Sequence, residues 1–379
     1  MKLPDEISKE ILQNLHMPDL NHSTQSRYRR KLSVIRKQMR RLAADFATST
    51  PSESKYLDAY LAYNFPVNIV KTATVIKEIV LRYPDFILGK TGLSVLDIGC
   101  GGGAGIFGVY YALKDARGIR KFDVMAIDSS KTMLDRTQCL ARWLRRHDPR
   151  ISVRLFKHEI RGGLSSTSKK KYDIILAVNS LAEIIQEDVI RNRFVKSLLN
   201  RLTHNGLVLI IEPALKKFSR RLMKLRDELV PQKDVQVLLP CLHDNPCGLL
   251  KVGSRNEWCH QSLRWSPPDF LRLINQGLNR EIDVLKFAYL VIAKRKNRSD
   301  WPKCYRVVSH LLREKGKSRC FICTPRGRVE LVRLDKSRNL ANAGFDRISK
   351  GVIVRIENVA SRKEGYWQLT NGSSVEILK

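Results

Sequence analysis

The sequence predicts an α/β protein whose main sheet is mostly parallel. Three observations support this: strand-like and helical segments alternate between residues 94 and 212, a glycine-rich turn follows the first strand, and 43% of the 379 residues are apolar. Alternating strands and helices are typical of parallel sheets, because a crossover connection must join parallel neighbours. The chain is long enough to carry smaller modules on either side of such a domain.

The elements of this sheet follow one another along the chain. Short apolar runs predict its strands, and apolar residues at every third or fourth position predict its helices. The predicted strands are Ser94–Ile98, Asp123–Asp128, Ser152–Phe156, Tyr172–Val178 and Leu207–Glu212. The predicted helices between them lie around Gly105–Lys114, Lys131–Arg146 and Val189–Leu202. Farther along, the predictions are helices at Lys216–Glu228 and Asp269–Gln276 and a buried strand at Leu285–Ala293.

Changes in composition divide the chain into four predicted segments. Residues 1–51 form a basic helical region, and residues 52–235 hold the parallel sheet behind a helical preface. Residues 236–299 are a cysteine-rich, metal-binding segment that returns to the sheet. Residues 300–379 are rich in β-branched and aromatic positions with turn breaks, which predicts a small antiparallel β module.

The charge of the chain points to a polyanionic partner. Lysine plus arginine number 69 against 37 acidic residues, a net charge of +32. Such an excess suits phosphate contacts, because each neutralised phosphate releases a condensed counterion. A highly charged soluble enzyme and a membrane-surface protein are the alternatives. The size of the excess favours nucleic acid over both. No stretch approaches the roughly 18 apolar residues of a membrane span.

The N-terminal helical region carries the densest run of cations. Leu32, Ile35, Met39 and Leu42 fall at helical spacing and predict one buried stripe. Like charges crowd the remaining faces, which costs an isolated helix stability and favours a phosphate-contacting arm over a merely solvated face. The cations assigned to RNA contact are Arg29, Arg30, Lys31, Arg36, Lys37, Arg40 and Arg41.

A glycine-rich turn follows the first predicted strand, in the segment Val95–Gly103. Gly99, Gly101 and Gly103 permit a tight turn that brings the backbone close to a cofactor. The turn also satisfies the dinucleotide fingerprint, so an NAD-dependent oxidoreductase is one alternative. Asp97 favours S-adenosylmethionine (SAM) instead, because SAM-dependent methyltransferases carry an acid at this strand end.

Polar residues after the next strands complete the predicted cofactor pocket. Asp128 ends the second strand, where its carboxylate can accept hydrogen bonds from ribose hydroxyls, and Glu159 is the adenine-side candidate after the third. Asn179 and Glu183 follow the fourth strand and are the candidate catalytic contacts with a methyl acceptor. This position holds neither the Asn-Pro-Pro-Tyr of base amino methyltransferases nor the Pro-Cys of 5-methylcytosine enzymes. The sequence therefore predicts a SAM-methyltransferase-type, Rossmann-like domain, but no known catalytic motif identifies its catalytic residue.

Three cysteines lie within nineteen residues of an irregular segment, at Cys241, Cys247 and Cys259. The sequence shows no secretory signal, so clustered cysteines predict metal ligands rather than disulfides. Their spacing differs from that of a zinc ribbon, and four thiolates complete either a zinc site or an iron–sulfur cluster. Buried free thiols are the alternative to a metal site. The candidates for the fourth ligand are Cys304, Cys320 and Cys323.

Several motifs in order resemble a known family, the methyltransferase-like proteins of the mitochondrial small ribosomal subunit and their bacterial and archaeal relatives. The most specific likeness is the block from Pro240 to Arg264, which is similar to the family's Cys-Pro-His-Asp, Cys-Pro-Leu and Trp-Cys-His pattern. The other similar segments are Leu3–Ile7, Ala59–Pro66, Val95–Gly103, Ser180–Glu183, Leu209–Pro213, Phe287–Leu290 and Cys323–Gly327.

The resemblance implies a [4Fe–4S] cluster, with zinc as the alternative, and association with small-subunit ribosomal RNA in ribosome assembly or translation. Leu242 and Gly248 stand where the family has prolines, at positions that do not bind metal. Cys320, beside Cys323, is a second thiol that could fill the fourth ligand position. The cysteines that match the family's four ligand positions are Cys241, Cys247, Cys259 and Cys323.

Two functions fit these features. The chain is either an RNA methyltransferase acting on ribosomal RNA, or a non-catalytic ribosome-assembly factor that uses the SAM fold as an RNA-binding scaffold. We expect a cytoplasmic protein of prokaryotic type, because the sequence begins without an Arg-rich transit peptide, or a mitochondrial one if a presequence precedes it. Away from the ribosome we expect a monomer.

Overall fold

A computed structural model of the chain describes residues 2–17, 25–48, 53–160, 170–250, 256–278, 283–294 and 301–378. Contacts group the chain into two units. Unit 1 comprises residues 1–211 and 264–285, and unit 2 comprises residues 212–263 and 286–379. The units do not follow the four predicted segments, since the basic helical region belongs to unit 1 while the cysteine segment and the β module share unit 2.

Five parallel strands form the sheet of unit 1. β1 lies between β2 and β4, β3 follows on the side of β2, and β5 follows on the side of β4. This is a doubly wound order, in which the winding reverses between β1 and β4 and ligands bind beyond the carboxyl ends of the strands at that point. The predicted Rossmann-like, methyltransferase-type fold is confirmed. The strands are β1 Gly92–Ile98, β2 Lys121–Asp128, β3 Ile151–Lys157, β4 Tyr172–Val178 and β5 Leu202–Pro213.

β5 differs most from its predicted bounds. β5 begins at Leu202, five residues before the apolar run starts at Leu207, because Leu202 already pairs with Tyr172 of β4. The residues between them include polar side chains, and the pairing shifts register there. A period-based prediction therefore missed this end of the strand.

Nine α-helices of the described residues belong to unit 1. The predicted stripe of Leu32, Ile35, Met39 and Leu42 on α2 is buried. A π-helical turn, Tyr60–Asn64, links α3 to α4. The helices are α1 Asp5–Asn14, α2 Gln25–Thr48, α3 Leu57–Ala59, α4 Phe65–Arg82, α5 Ala104–Leu113, α6 Lys131–His147, α7 Leu181–Ile184, α8 Asp188–Leu199 and α10 Asp269–Gln276.

Two cations of α2 bind the carboxyl end of α10. The Arg36 guanidinium donates to the carbonyl oxygens of Leu273 at 2.7 Å and Ile274 at 3.2 Å, and Arg40 donates to that of Gly277 at 3.1 Å. The last carbonyls of a helix lack intrahelical partners and carry partial negative charge, so cations stabilise them. These two arginines therefore fasten α2 inside unit 1.

Unit 2 begins with α9 and a small antiparallel ladder. α9 spans Lys216–Leu229, and β8, Val284–Ala293, pairs antiparallel with β6, Gln236–Leu239. β7, Gln261–Arg264, also pairs with β8. Between β6 and β7 lies the irregular cysteine segment.

A six-stranded β module completes unit 2, and five of its pairings close it into a barrel. β9 pairs with both β13 and β11, while β12 and β14 lie side by side in parallel. The prediction of an entirely antiparallel module was wrong in this one pair, because two 3-10 helices, Asp335–Ser337 and Ala343–Arg347, lie in the connection between β12 and β13. The strands are β9 Cys304–Val307, β10 Leu312–Glu314, β11 Lys317–Thr324, β12 Gly327–Leu334, β13 Ile353–Lys363 and β14 Tyr366–Leu378.

Inward-facing side chains of the barrel form a separate apolar core. They include Ile322, Leu331, Phe345 and Leu369, together with the thiol of Cys320. Within the described residues, no helix has the length and apolar character needed to cross a bilayer.

Candidate functional site

The glycine turn after β1 has the backbone geometry that its composition predicts. Gly99, Gly101 and Gly103 have φ angles of 63°, 51° and 86°, a left-handed region that residues with a Cβ rarely adopt. A Cβ on Gly99 would also lie 2.5 Å from that of Ser180, which follows β4. The turn therefore requires glycine for its conformation and for its contact with the neighbouring strand end.

Asp97 is a buried carboxylate at this turn. Its side chain is 1% exposed, and neither oxygen has a hydrogen-bond partner of good geometry. A Cβ on Gly105 would lie 2.7 Å from Oδ2, so the carboxylate points at the first turn of α5. Burial, with a smaller contribution from Asp128, raises its pKa to about 7. A weaker contact with the Ile106 amide lowers the pKa by less than burial raises it. A buried acid without a well-aligned hydrogen-bond donor is costly and marks a candidate ligand site.

Asp128, predicted to bind a ribose, holds the turn itself. Its Oδ2 accepts a hydrogen bond from the Gly101 amide at 2.8 Å and its Oδ1 accepts one from the Ser130 amide at 2.8 Å. Each carboxylate oxygen can accept more than one hydrogen bond, so ribose hydroxyls would share this group with the backbone. Glu159, the adenine-side candidate, is exposed beyond β3.

Tyr60, which the sequence analysis did not single out, covers the glycine turn. Its hydroxyl oxygen accepts a hydrogen bond from the Gly102 amide at 3.1 Å, and its side chain is 3% exposed. A Cβ on Gly102 would lie 2.6 Å from the ring, and one on Gly101 would lie 2.9 Å from the hydroxyl. A ligand that contacts the backbone of these two glycines therefore has to displace the ring. The only sequence clue was the tyrosine-rich segment Ala59–Pro66.

The two candidate catalytic residues lie after β4, in different surroundings. Asn179 has a φ of 56°, and its amide donates to Asn68 Oδ1 at 3.0 Å. Glu183 lies on α7 and lines a cavity with residues 184–187 and 190 that Asn179 does not line. The structure therefore places Asn179 toward α4 and Glu183 in a separate cavity.

Asp97→Asn is expected to stabilise the folded chain at pH 8, and by only about a third as much at pH 5. Between the ordinary carboxyl pKa near 4 and the folded value of about 7, the folded chain binds more protons than the unfolded chain. The free energy of unfolding therefore falls as pH rises through this window. Removing the charge removes a penalty of up to about 4 kcal/mol. Urea unfolding at the two pH values measures it.

Asp148→Asn serves as the matched control with the opposite sign. Hydrogen bonds from Arg150 lower the pKa of Asp148 to about 2, so its charge stabilises the fold above that pH. This variant should lose stability at pH 8. If Asp97→Asn were as destabilising as Asp148→Asn at pH 8, the assignment of Asp97 as an unpartnered charge would be wrong.

Four thiols line one cavity of unit 2, with a volume of about 80 Å³. Three come from the irregular segment, and Cys323 comes from β11 of the barrel. Cys320, three residues before Cys323 on the same strand, points into the barrel core. The Cys304 thiol donates a hydrogen bond to the Pro302 carbonyl oxygen. The cavity-lining thiols are Cys241, Cys247, Cys259 and Cys323.

Buried arginines brace the backbone around these thiols. Arg226 donates to the carbonyl oxygens of His243 and Asn245, and Arg306 donates to that of Pro240 at 2.6 Å. Arg220 donates to the carbonyl oxygens of residues 249 and 257. Both Arg226 and Arg306 are buried, so the irregular segment is fixed by buried cations.

The thiols influence one another's protonation. Burial, with Cys241 next, raises the pKa of Cys247 to about 11, and burial with the other thiols raises that of Cys259 to about 12. Burial and the same neighbours raise the pKa of Cys323 well above its ordinary value. Each therefore holds its proton at neutral pH unless a cation replaces it.

No three His, Cys, Asp or Glu side chains of the described residues converge as ligands of a single metal ion. The two histidines of the cysteine segment, His243 and His260, each lie close to one polar side chain. His243 Nε2 lies 3.6 Å from Cys323 Sγ, and His260 Nε2 lies 2.7 Å from Lys350 Nζ.

The predicted RNA-contacting cations of α2 divide into two groups. Lys31 pairs with Asp58 at 2.9 Å, while Arg36 and Arg40 bind α10 as described above. The remaining four are exposed: Arg29, Arg30, Lys37 and Arg41.

A protein-family model described as mitochondrial small ribosomal subunit Rsm22 matches residues 54–351. The chain belongs to the Rsm22 family. The matched region of this family member holds the glycine turn and all four cavity-lining cysteines, and it ends before β13. It does not include α2.

The chain is also similar to solved methyltransferase structures at low identity. The plantazolicin methyltransferase BpumL in complex with SAH is 18% identical over 70% of this chain and 99% of its own, with a TM-score of 0.39. Precorrin-6y C5,15-methyltransferase from Geobacter metallireducens GS-15 is 10% identical over 59% of this chain and 88% of its own, with a TM-score of 0.34. A comparison with curated proteins found no match.

Proposed function

We propose that this Rsm22-family chain is a SAM-binding, methyltransferase-like protein that acts on or with small-subunit ribosomal RNA and carries a [4Fe–4S] cluster. Its place of action would be the small ribosomal subunit of a prokaryotic cytoplasm, or of a mitochondrion if a presequence precedes the chain. Family membership supports the ribosomal partner. The observation that supports SAM binding is the buried carboxylate of Asp97 at the switch point of the sheet, which has no well-aligned hydrogen-bond donor.

The residues at the turn fit SAM in charge and position. A buried carboxylate without a partner is relieved by a cation, which the α-ammonium of SAM supplies. Asp128 lies next along the same sheet edge, where a ribose would reach its remaining lone pairs. Bound SAM would supply an activated methyl group, and the protein's contribution would be to hold an RNA nucleotide beside it.

The ring of Tyr60 on the glycine turn favours the second candidate, a non-catalytic assembly factor. In this arrangement the Tyr60 ring covers the backbone of the glycine turn, and its hydroxyl accepts a hydrogen bond from the Gly102 amide. A scaffold that only binds RNA needs no open cofactor site, whereas an enzyme must move Tyr60 in every cycle.

Two measurements separate the candidates. SAM affinity of the purified protein comes first, followed by mapping of small-subunit rRNA methylation with and without the gene. Loss of one methyl mark, restored by the wild-type chain and not by Asp97→Ala, supports the enzyme. SAM binding with every mark retained would leave the assembly factor.

The four thiols fit an iron–sulfur cluster in their chemistry. Thiolates are the ligands that such clusters use, and the buried guanidinium groups of Arg226 and Arg306 would balance the negative charge of a thiolate-bound cluster. When bound, the cluster would cross-link the irregular segment to β11 through Cys323. The chain's own residues supply the ligands and the buried cations.

RNA affinity is expected to fall steeply with salt, and α2 should account for part of that slope. Replacing Arg29, Arg30 and Arg41 with alanine removes three exposed cations. Each lost phosphate contact lowers the slope of log K against log salt by about 0.7 to 0.9, so we expect a decrease of about 2. The measurement is filter binding of small-subunit rRNA fragments at several salt concentrations.

An equal charge change elsewhere controls for net charge. Arg142, Arg145 and Arg146 on α6 are also exposed, and their replacement with alanine removes the same three charges. Equal slopes for the two triple variants would mean that α2 has no specific contact with RNA.

A further inference from the structure

The barrel of unit 2 has the strand order of an oligonucleotide-binding (OB) fold. β9 and β10 together form its interrupted first strand, and β11, β12, β13 and β14 are its second to fifth strands. The first strand pairs with the second and fourth, and the third lies parallel to the fifth. Barrels of this fold bind oligonucleotides across the outer face of strands two and three and the loops between strands one and two and between strands four and five.

The outer face of these strands is defined by alternation. On β11, Cys320 and Ile322 enter the core, so Arg319 and Phe321 face outward. Phe321 lies opposite Glu330 of β12, and Glu330 in turn lies beside Tyr366 of β14. Two aromatic side chains thus flank the middle strand on one face.

Each of the two aromatic rings lies beside a cation. The Arg328 guanidinium carbon lies 4.3 Å from the ring centroid of Phe321, and Lys363 Nζ lies 5.7 Å from that of Tyr366. Successive bases of a single strand stack on aromatic rings and guanidinium planes, while neighbouring cations contact the phosphates. Arg328 also pairs with Glu257 at 2.5 Å, which places one end of this face against the cysteine segment.

The two loops that border ligands in this fold are short. Lys315 and Gly316 join β10 to β11, and Glu364 and Gly365 join β13 to β14, directly after Lys363 at the end of β13. The Gly316 carbonyl accepts a hydrogen bond from Asp335 just beyond β12, and the Gly365 carbonyl accepts one from Glu330 within it. The loops therefore lie at different points along β12, with the outer face between them.

The charge of the module agrees with an RNA ligand. Residues 301–378 contain 16 lysines and arginines and 7 acidic residues, an excess of 9 cations. Bases in a duplex are stacked on one another and are not available to aromatic side chains, whereas those of a single strand are. Stacking on the aromatic pair would therefore be open to the bases of single-stranded RNA and not to those of a duplex.

We propose that the outer face of β11, β12 and β14, with the two short loops beside it, binds a single-stranded segment of RNA. The proposal deepens the proposed function, on which it rests, by naming a second RNA site apart from α2. Phe321 and Tyr366 would stack bases, and Lys315 and Lys363 would contact phosphates.

The test is fluorescence polarisation of the full chain with a labelled 12-nucleotide oligouridine and with a 12-base-pair RNA duplex. Tyr366→Ala is expected to weaken oligouridine binding about tenfold, since one stacked base is lost, and to leave duplex binding unchanged. Tyr366→Phe keeps the ring and should bind like the wild type. Tyr111→Ala is the matched control, because Tyr111 lies on α5 with Lys114 5.3 Å from its ring.

The outcomes distinguish this proposal from RNA binding in general. If Tyr366→Ala and Tyr111→Ala both bind oligouridine normally while the α2 triple variant is weakened, the barrel site is wrong and RNA binding stands. If the wild type binds neither probe, both proposals fail. Thermal unfolding of each variant excludes loss of fold as the cause of weakened binding.

Discussion

Cys259→Ser is expected to abolish the bound cluster. Anaerobically purified wild-type protein should be brown and hold about four irons per chain, and this variant should hold almost none, because one of four cavity-lining thiols is lost. A metal centre held only by the folded state contributes its binding free energy to stability. The variant should therefore also unfold at a lower temperature. Iron analysis, visible absorbance and thermal unfolding measure the change.

Two other cysteines provide the controls. Cys139→Ser changes an exposed thiol on α6, and Cys320→Ala changes one in the barrel core. Both should keep their iron, although Cys320→Ala should lower the melting temperature because it leaves a small cavity. Stoichiometric zinc without iron in the wild type would refute the cluster. Loss of iron in Cys320→Ala, with retention in Cys323→Ser, would mean that the fourth ligand is misassigned.

Tyr60→Leu is expected to raise the affinity for SAM about tenfold. When a site is open for only a fraction of the time, its apparent affinity is the intrinsic affinity multiplied by that fraction. Shortening the side chain removes the contacts of Tyr60 with Gly101 and Gly102. The same change should destabilise the ligand-free chain by about 2 kcal/mol or more, since a buried ring is lost. Calorimetric titration with SAM measures the affinity.

Tyr60→Phe isolates the part played by the ring. It keeps the aromatic group over the glycines and loses only the hydrogen bond to the Gly102 amide. We expect affinity close to that of the wild type. If Tyr60→Leu bound the ligand more weakly than Tyr60→Phe, the tyrosine would be part of the cofactor site rather than its cover.

The sheet could be predicted because its strands are buried on both sides. Runs such as Tyr172–Val178 are almost wholly apolar, and their length, flanking turns and alternation with helices leave few other interpretations. The barrel was harder. Its parallel pair, β12 with β14, depends on the path of the chain between β12 and β13. No local sequence pattern predicts that path, because pairing between distant segments is not encoded in neighbouring residues.

The candidate sites, too, could be predicted only where a short local motif marks them. The glycine turn and Asp97 were visible as a short motif, and the structure places them together at the switch point of the sheet. Tyr60 was not found, since a tyrosine in an apolar helical stretch is ordinarily a core residue. Cys320 and Cys323 could not be separated by spacing, but alternation on β11 sends the first into the barrel core and leaves the second at the cavity.

The contact between Arg36 and α10 has a consequence for synthesis of the chain. Arg36 lies on α2, yet the carbonyl groups that it contacts, those of Leu273 and Ile274, are made more than 230 residues later. Other contacts of α2, with Tyr56, Asp58 and Ala59, become available soon after the helix itself. The helix is therefore anchored in two stages, and its like charges repel one another most before the first of them.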